Sequence, residues 1–312
     1  MSRILVTGGS GFVGRACLPR LIASGFEVHA LCRRIPETNE GVIWHSVDLL
    51  QDDLTNTWMA EIAPSHLLHL AWCTEPGKFA TSPQNIDWLD RSIRLFRQFH
   101  QCGGQRLVAT GTCFEYQWTD NACEESTTPT RPGTLYGMAK LTAANYLEVL
   151  EKLGLSSAWA RLFFLYGPGA DERRIPGAVI KALRTGEEAR CTSGTQLRDF
   201  LHIEDVADAL VQLVKSSVTG PINICSGQPV TIREIAGMTA ELMGHPELLH
   251  LGAIPQNPND PRVVLGHAGR LVHELGWQPR YTLREGLRQT INATETGTFS
   301  PPTLPAVPDP RI

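Results

Sequence analysis

Three side chains of this sequence have the types and spacing needed to move a proton at a carbonyl or alcohol oxygen. Tyr136 and Lys140 are four residues apart in a predicted helix, so they lie on one helix face. A free phenol has a pKa of about 10, and a neighbouring ammonium lowers it by stabilising the phenolate. Thr112, 24 residues earlier, follows a predicted strand at residues 106–110, where its hydroxyl would hold the substrate oxygen beside Tyr136. These residues predict acid–base chemistry at one oxygen atom.

A glycine-rich loop near the start of the sequence has the pattern that binds a dinucleotide. Its glycines are three residues apart, directly after a predicted strand and before a predicted helix. Glycine permits the positive φ of a sharp turn and lets the backbone approach a pyrophosphate, which the helix N-terminal amides then face. The predicted cofactor contacts in this loop are Gly8, Ser10, Gly11, Phe12, Val13 and Gly14.

The end of the second predicted strand favours NADP(H) over NAD(H). An NAD site usually has a carboxylate here that accepts from the ribose hydroxyls, but residues 31–34 read Leu-Cys-Arg-Arg. A guanidinium pairs with a 2′-phosphate through two hydrogen bonds, so Arg33 and Arg34 are predicted cofactor contacts. A solvated arginine pair and an NAD(H) site stay open as alternatives. Asp48 and Leu49 are predicted to adjoin the adenine, with helix capping as the alternative for Asp48.

Strands alternating with helices must position these residues. The alternation is typical of a parallel sheet covered on both faces. The predicted fold class is therefore α/β, a doubly wound parallel (Rossmann) sheet with a smaller α/β C-terminal substrate domain. Residues 1–163 and returning segments at about 197–225 are predicted to form the dinucleotide-binding domain. Residues 164–196 and 226–296 are predicted to form the substrate domain, and the proline-rich residues 297–312 a disordered tail.

Composition argues against several classes of protein. The net charge is −4 and no basic patch is visible, so no nucleic-acid partner is expected. No apolar run reaches the roughly 18 residues of a membrane span. Glycines come too early for a signal peptide, which predicts a cytoplasmic location. None of the eight cysteines is in a Cys-x-x-Cys pair or near a histidine at zinc-site spacing, so no metal is expected.

Taken together, these motifs resemble the extended short-chain dehydrogenase/reductase superfamily, in its NAD-dependent epimerase/dehydratase branch that acts on nucleotide sugars. The resemblance runs from residue 3 to about residue 290. Other segments that carry it are residues 69–71 (His-Leu-Ala), 161–168, 198–202 and 275–279. It implies a nucleotide-sugar substrate and a homodimer formed through the helices near residues 84–102 and 134–153.

The resemblance also implies roles for individual residues. Thr112, Tyr136 and Lys140 would form the catalytic triad, with Tyr136 and Lys140 also contacting the cofactor. Further cofactor contacts would be Leu70, Ala71 and Phe163. Arg198 would bind the substrate's diphosphate, for which a guanidinium is suited. A structural ion pair is the alternative for Arg198.

Two positions depart from the family pattern and narrow the chemistry. The 4,6-dehydratases of this branch follow the triad hydroxyl with Asp and Glu, where this chain has Cys113 and Phe114. Dehydration is therefore not expected, and Cys113 is interpreted as a packing residue.

Thr74, in the loop after the fourth strand, and Glu115 are predicted substrate contacts. For Glu115 the alternative is to fix the loop that carries Thr112.

The reactions of this branch that remain after dehydration is set aside require only the transfer of a hydride and one proton. We therefore expect an NADPH-dependent reductase of a keto group, at C4, on a nucleotide-linked deoxysugar, with the proton from Tyr136. A nucleotide-sugar 4-epimerase with tightly bound NAD uses the same residues and is the first alternative. A non-catalytic NADP-sensing protein is the second.

Overall fold

The computed structural model describes residues 1–37, 41–52 and 55–296, so the predicted tail at 297–312 lies outside the described residues. The strands are β1 (Arg3–Thr7), β2 (Glu27–Cys32), β3 (Val42–Ser46), β4 (His66–His69), β5 (Arg106–Thr112), β6 (Ser156–Leu162), β7 (Phe164–Tyr166), β8 (Ala189–Arg190), β9 (Leu197–His202), β10 (Gly220–Ile224), β11 (Pro229–Thr231), β12 (Leu249–His250) and β13 (Val263–Val264). The helices are α1 (Phe12–Ala23), α2 (Asn56–Ile62), α3 (Gln84–Gln101), α4 (Leu135–Lys152), α5 (Gly177–Arg184), α6 (Ile203–Lys215), α7 (Ile232–Leu242), α8 (Gly269–His273) and α9 (Leu283–Thr296).

Seven parallel strands form the main sheet, in the order β10-β6-β5-β4-β1-β2-β3. Successive side chains of a strand point to opposite faces. Ile4 and Val6 of β1 therefore pack in the cluster that contains α1 and α6, whereas Leu5 packs in the cluster that contains α3 and α4. Both faces are apolar because helices cover both, as a parallel sheet requires. The predicted doubly wound α/β fold is confirmed.

The chain order of the strands creates a crevice at the centre of this sheet. β1 lies between β2 and β4. The chain therefore builds the sheet on one side of β1 through β2 and β3, and then crosses to the other side at β4. Such a switch point is where open α/β sheets bind ligands, outside the carboxyl ends of the strands. The Thr7 hydroxyl joins these ends, because it bonds His69 Nδ1 at 2.8 Å and accepts from the amides of Leu70 and Ala71 at 3.2 Å.

A smaller sheet forms around β9 and differs from the predicted domain boundary. The sequence analysis placed residues 197–225 in the dinucleotide-binding domain, but β9 pairs with β7, β11 and β13. Only α6, which packs on α1, and β10, which pairs with β6, return to the main sheet. The return therefore begins at residue 203, because the backbone partners of β9 all belong to the smaller sheet.

Helix α4 carries the predicted catalytic pair, and a side chain defines where it begins. Thr134 precedes the helix in an extended conformation, and its hydroxyl accepts from the amide of Gly137 at 3.1 Å. This capping bond satisfies one of the free amides of the first turn. It also places Tyr136 in that turn, directly beside the carboxyl end of β5. No helix of the described residues is both long and apolar enough to cross a membrane.

Candidate active site

A cavity of about 690 Å³ opens at the switch point of the main sheet. Most of the residues that the sequence singled out line it, although they come from five separate segments of the chain. These lining residues are Gly8, Gly11, Phe12, Val13, Gly14, Leu70, Ala71, Thr74, Thr112, Tyr136, Lys140 and Phe163. The structure thus brings the glycine loop and the Thr/Tyr/Lys set to one place.

Tyr136 lies in an aromatic environment at the inner end of the cavity. Its ring centroid is 5.0 Å from that of Phe79, 6.0 Å from that of Phe114 and 6.3 Å from that of Trp72. Burial raises the pKa of the Tyr136 phenol, and a hydrogen bond with the side chain of Thr112 opposes that rise. The phenol is therefore the polar group of a largely apolar pocket end.

Thr112 is held at the end of β5 by a short 3-10 turn, Cys113–Glu115. Its hydroxyl accepts from the amide of Phe114 at 3.3 Å, and its own amide donates to Glu115 Oε1 at 2.8 Å. This reciprocal pair of bonds is a capping box. It fixes the backbone and side chain of Thr112 beside the phenol of Tyr136.

Lys140 is buried one helical turn beyond Tyr136. Its ammonium donates to the carbonyl oxygen of Thr110 at 2.7 Å and lies 4.0 Å from the ring centroid of Trp72. Burial lowers the pKa of Lys140 to about 7. From the sequence, Lys140 is predicted to lower the pKa of the Tyr136 phenol. The structure differs, because burial has the largest effect on that phenol and the opposing bond comes from Thr112.

Glu115 lies behind Thr112 and is completely buried. Its carboxylate accepts from the indole nitrogen of Trp159 at 2.9 Å and from Nε of Arg161 at 2.8 Å, in addition to the amide of Thr112. It does not line the cavity. These contacts do not favour the predicted substrate contact for Glu115, since its oxygens are bound inside the protein. The alternative from the sequence, a residue that fixes the Thr112 loop, agrees with these contacts.

The glycine loop has the geometry of a pyrophosphate cradle. Gly8 has a φ of +69°, and a Cβ there would be 2.8 Å from the amide nitrogen of Ala71. A Cβ on Gly14 would be 2.6 Å from Cα of Gly9, whereas one on Gly11 would meet only the carbonyl oxygen of Gly8. The open side of Gly11 faces the cavity, and no described side chain caps the first amides of α1. These features fit the phosphates of a dinucleotide.

Several predicted cofactor contacts lie outside the cavity lining. Ser10 is exposed, and so are Arg33 and Arg34 after β2. Among the residues that the structure describes, no carboxylate pairs with either guanidinium. Asp48 Oδ1 accepts from the amide of Leu50 at 3.0 Å, so this carboxylate stabilises a local turn. Its neighbour Leu49 is buried in the hydrophobic cluster beneath α3 and α4.

Arg198 is buried and engaged in an ion pair. Its guanidinium donates to Asp260 Oδ1 at 2.7 Å and to the carbonyl oxygen of Leu197 at 2.8 Å. It does not line the cavity. These contacts favour the structural alternative that the sequence left open for Arg198. Cys113 is buried as well, and burial raises the pKa of its thiol, which agrees with a packing role.

Two lining residues have no motif that would have identified them. Phe79 lies in the loop between β4 and α3, and Arg174 lies in the loop between β7 and α5. The guanidinium carbon of Arg174 is 5.6 Å from the ring centroid of Phe79. The two loops are far apart in sequence, so only the tertiary structure brings these side chains together. Within the described chain, no three His, Cys, Asp or Glu residues are arranged to hold a metal ion.

Comparison with known proteins identifies a family for this arrangement. The sequence model described as "NAD dependent epimerase/dehydratase family" matches residues 4–225, well over half of the chain. The match includes the glycine loop, Thr112, Tyr136 and Lys140. The match ends at residue 225, directly after β10, which is the last strand of the main sheet along the chain.

Individual relatives cover nearly the whole chain. UDP-glucose 4-epimerase of Corynebacterium glutamicum is 25% identical over 305 residues, which cover 90% of this chain and 92% of that protein. UDP-glucuronic acid decarboxylase 6 of Arabidopsis thaliana is 27% identical, with 91% of this chain and 86% of that protein covered. The solved structure of MoeE5 in complex with UDP-glucuronic acid and NAD has a TM-score of 0.82 and 30% identity, and covers 95% of this chain and 100% of that one.

Proposed function

The chain belongs to the NAD dependent epimerase/dehydratase family of enzymes, and from this we propose that it is a 4-epimerase of a nucleotide-linked sugar that holds NAD. One observation carries the proposal. The phenol of Tyr136 lies beside Thr112 at a pocket end that the rings of Trp72, Phe79 and Phe114 also line. A phenol beside a hydroxyl, with aromatic rings around both, suits oxidation and reduction at a single carbon.

The residues of the chain would hold the cofactor at the glycine loop. The amides of Phe12, Val13 and Gly14 would bind the pyrophosphate, and Lys140 would contact the nicotinamide ribose. When bound, NAD accepts a hydride, returns it, and in its oxidised form places a positive charge near the phenol. That charge would offset the rise that burial causes in the pKa of Tyr136.

The proton balance of the reaction closes on Tyr136. Its phenolate accepts the proton of the sugar's C4 hydroxyl while the C4–H bond breaks and a carbonyl forms. Thr112 donates to the same oxygen and keeps it beside the phenol. When C4–H forms again on the opposite face of the sugar, Tyr136 returns the proton to the oxygen. No net proton or electron is consumed, so the enzyme needs no second substrate.

The relatives support this proposal over reduction. The Corynebacterium relative is named a 4-epimerase, and the MoeE5 structure contains NAD together with a UDP-linked sugar. The NADPH-dependent ketoreductase expected from the sequence is the second candidate, and one observation favours it. Cys32 ends β2 where NAD sites usually have a carboxylate, and Arg33 and Arg34 follow it exposed.

A cofactor and product assay tests the two candidates. The purified protein is denatured, and the released dinucleotide is identified by chromatography. The protein is then incubated with NAD and UDP-glucose or UDP-glucuronic acid, and the products are separated. Interconversion of C4 epimers without consumption of NAD(P)H is the expected result. Oxidation of NADPH in proportion to a reduced 4-keto sugar, with no epimer formed, would overturn the proposal in favour of the reductase.

We further propose a homodimer formed through α3 and α4. Ile86 on α3 and Met138 and Val149 on α4 are large apolar side chains that are at least half exposed. Apolar side chains exposed on neighbouring helices are typical of a protein–protein contact. Light scattering on the purified protein should give twice the mass of the chain. A monomer at micromolar concentration would contradict this.

A further inference from the structure

Two adjacent arginines on the outer side of the cavity differ in how their charge is balanced. Arg173 donates to both oxygens of Asp171, at 2.9 Å and 2.7 Å, and forms an ion pair with Glu75 at 3.5 Å. Arg174 donates to the carbonyl oxygen of Thr74 at 2.7 Å. Among the residues that the structure describes, no carboxylate forms an ion pair with Arg174. The charge of Arg173 is therefore neutralised, and that of Arg174 is not.

Counting the charges on this side of the cavity gives the same result. The two carboxylates are Glu75 and Asp171, and Glu75 also pairs with Lys78 at 3.0 Å. Three cations, Lys78, Arg173 and Arg174, face these two anions. One positive charge is left over, and it belongs to the guanidinium that lines the cavity without an acidic partner.

The position of Arg174 relates it to the reacting end of the site. Its guanidinium carbon is 5.6 Å from the ring centroid of Phe79, and that ring lies edge to face with Tyr136 at 5.0 Å. The positive charge of Arg174 also lowers the pKa of the Tyr136 phenol, against the effect of burial. The bond to Thr74 fixes the guanidinium to the loop that follows β4.

We propose that Arg174 binds a carboxylate on the sugar, so that the substrate is a nucleotide-linked uronic acid. This rests on the proposed function, which places C4 of the sugar beside Tyr136. A carboxylate at C6 is separated from C4 only by C5, whereas the diphosphate is attached at C1 on the far side of the ring. Arg174 lines the same cavity as Tyr136 and is separated from it by the ring of Phe79, so its guanidinium would meet a substituent near C4. A guanidinium pairs with a carboxylate through two parallel hydrogen bonds.

Substitution of the two arginines tests this assignment. The wild type, Arg174→Gln and Arg173→Gln are each loaded with NAD. Calorimetry then measures the Kd, and product assays the KM and kcat, for UDP-glucuronic acid and for UDP-glucose. Arg174→Gln should raise the Kd and KM for UDP-glucuronic acid by about tenfold to a hundredfold. The values for UDP-glucose should change by less than about threefold, and Arg173→Gln should leave both substrates near the wild type.

The two sugars separate the outcomes. If Arg174→Gln weakens both sugars equally, Arg174 meets the diphosphate that they share, and the proposal is overturned. It is also overturned if the wild type binds UDP-glucuronic acid no better than UDP-glucose. Failure of the proposed function has a different signature, in which neither sugar is epimerised. Selective loss of UDP-glucuronic acid binding in Arg174→Gln would support the carboxylate contact even then.

Discussion

Two clusters of charged side chains at the cavity treat charge in opposite ways. The cluster behind Thr112, here called the inner wall, consists of Glu115, Trp159, Arg161 and Tyr116, which lie outside the cavity lining. Its ion pair is almost completely buried, with side-chain exposures of 0% for Glu115 and 5% for Arg161. The outer wall consists of Glu75, Lys78, Asp171, Arg173 and Arg174. Between 34% and 73% of the surface of each of its ion-paired side chains is exposed to solvent.

This difference separates what each wall can contribute. A buried charge without a partner costs several kcal/mol, so the inner wall must satisfy all of its groups internally. Arg161 accordingly also donates to the hydroxyl of Tyr116 at 2.9 Å, and that hydroxyl donates to Asn223 at 2.8 Å. Water screens the ion-paired side chains of the outer wall. Arg174 is half-buried, and burial lowers the pKa of its guanidinium. We infer that the inner wall fixes the reacting group and that Arg174, alone among the residues of the outer wall, selects the substrate.

The largest expected effect is at the residue between the two walls. Tyr136→Phe removes the proton-transfer group and should lower kcat by about 100-fold to 10,000-fold, with dinucleotide affinity unchanged. Tyr146→Phe is a matched control, because Tyr146 lies on the same helix but does not line the cavity. Steady-state kinetics and dinucleotide titration measure both quantities. If Tyr136→Phe keeps the turnover of the wild type, the phenol of Tyr136 is not the proton-transfer group.

The next effect tests the inner wall against the outer wall through stability. Glu115→Gln keeps the shape of the side chain but leaves the charge of Arg161 buried and unpaired. It should lower the free energy of unfolding by about 3–5 kcal/mol, as measured by urea denaturation. Glu75→Gln is the matched outer-wall change and should leave that free energy unchanged within error, because water screens its ion pairs.

A double variant sharpens this result. Glu115→Gln combined with Arg161→Met removes both charges, so part of the lost stability should return. If Glu115→Gln and Glu75→Gln destabilise the protein equally, the contrast between the two walls is wrong.

The smallest effect is a pH dependence of stability that comes from Lys140. Burial holds the pKa of the folded protein's Lys140 at about 7, whereas an unfolded chain has a lysine pKa of about 10.4. Between these values the unfolded chain binds the additional proton. The contribution of Lys140 to the free energy of unfolding therefore rises with pH from about 7 to about 10, and is constant below that window.

Comparison with Lys140→Met isolates this contribution. The difference in unfolding free energy between the wild type and Lys140→Met should shift in favour of the wild type from pH 7 to pH 9. Parallel curves for the wild type and Lys140→Met would contradict a lowered pKa at this position.

Much of the fold and part of the site follow from local patterns in the sequence. The doubly wound sheet is confirmed, since alternating strands and helices with apolar faces are a local property of the chain. The family that the glycine loop and the Thr/Tyr/Lys spacing predict is confirmed by the family model that matches residues 4–225. The predicted return to the main sheet at about residue 197 differs from the structure, in which β9 belongs to the smaller sheet. Strand pairing depends on partners distant in the chain, so local patterns do not determine it. The roles of the individual site residues stay predictions.

Electrostatics separates what the sequence determined from what the tertiary structure decided. Residue type and spacing placed Tyr136 and Lys140 on one helix face and the glycines in one loop, because helix and turn geometry repeat over a few residues. Burial then raised the pKa of the phenol and lowered that of the ammonium. Folding also joined Glu115 to Arg161 and left Arg174 without an acidic partner among the described residues. Solvation and charge pairing depend on distant segments meeting, so only the tertiary structure determines them.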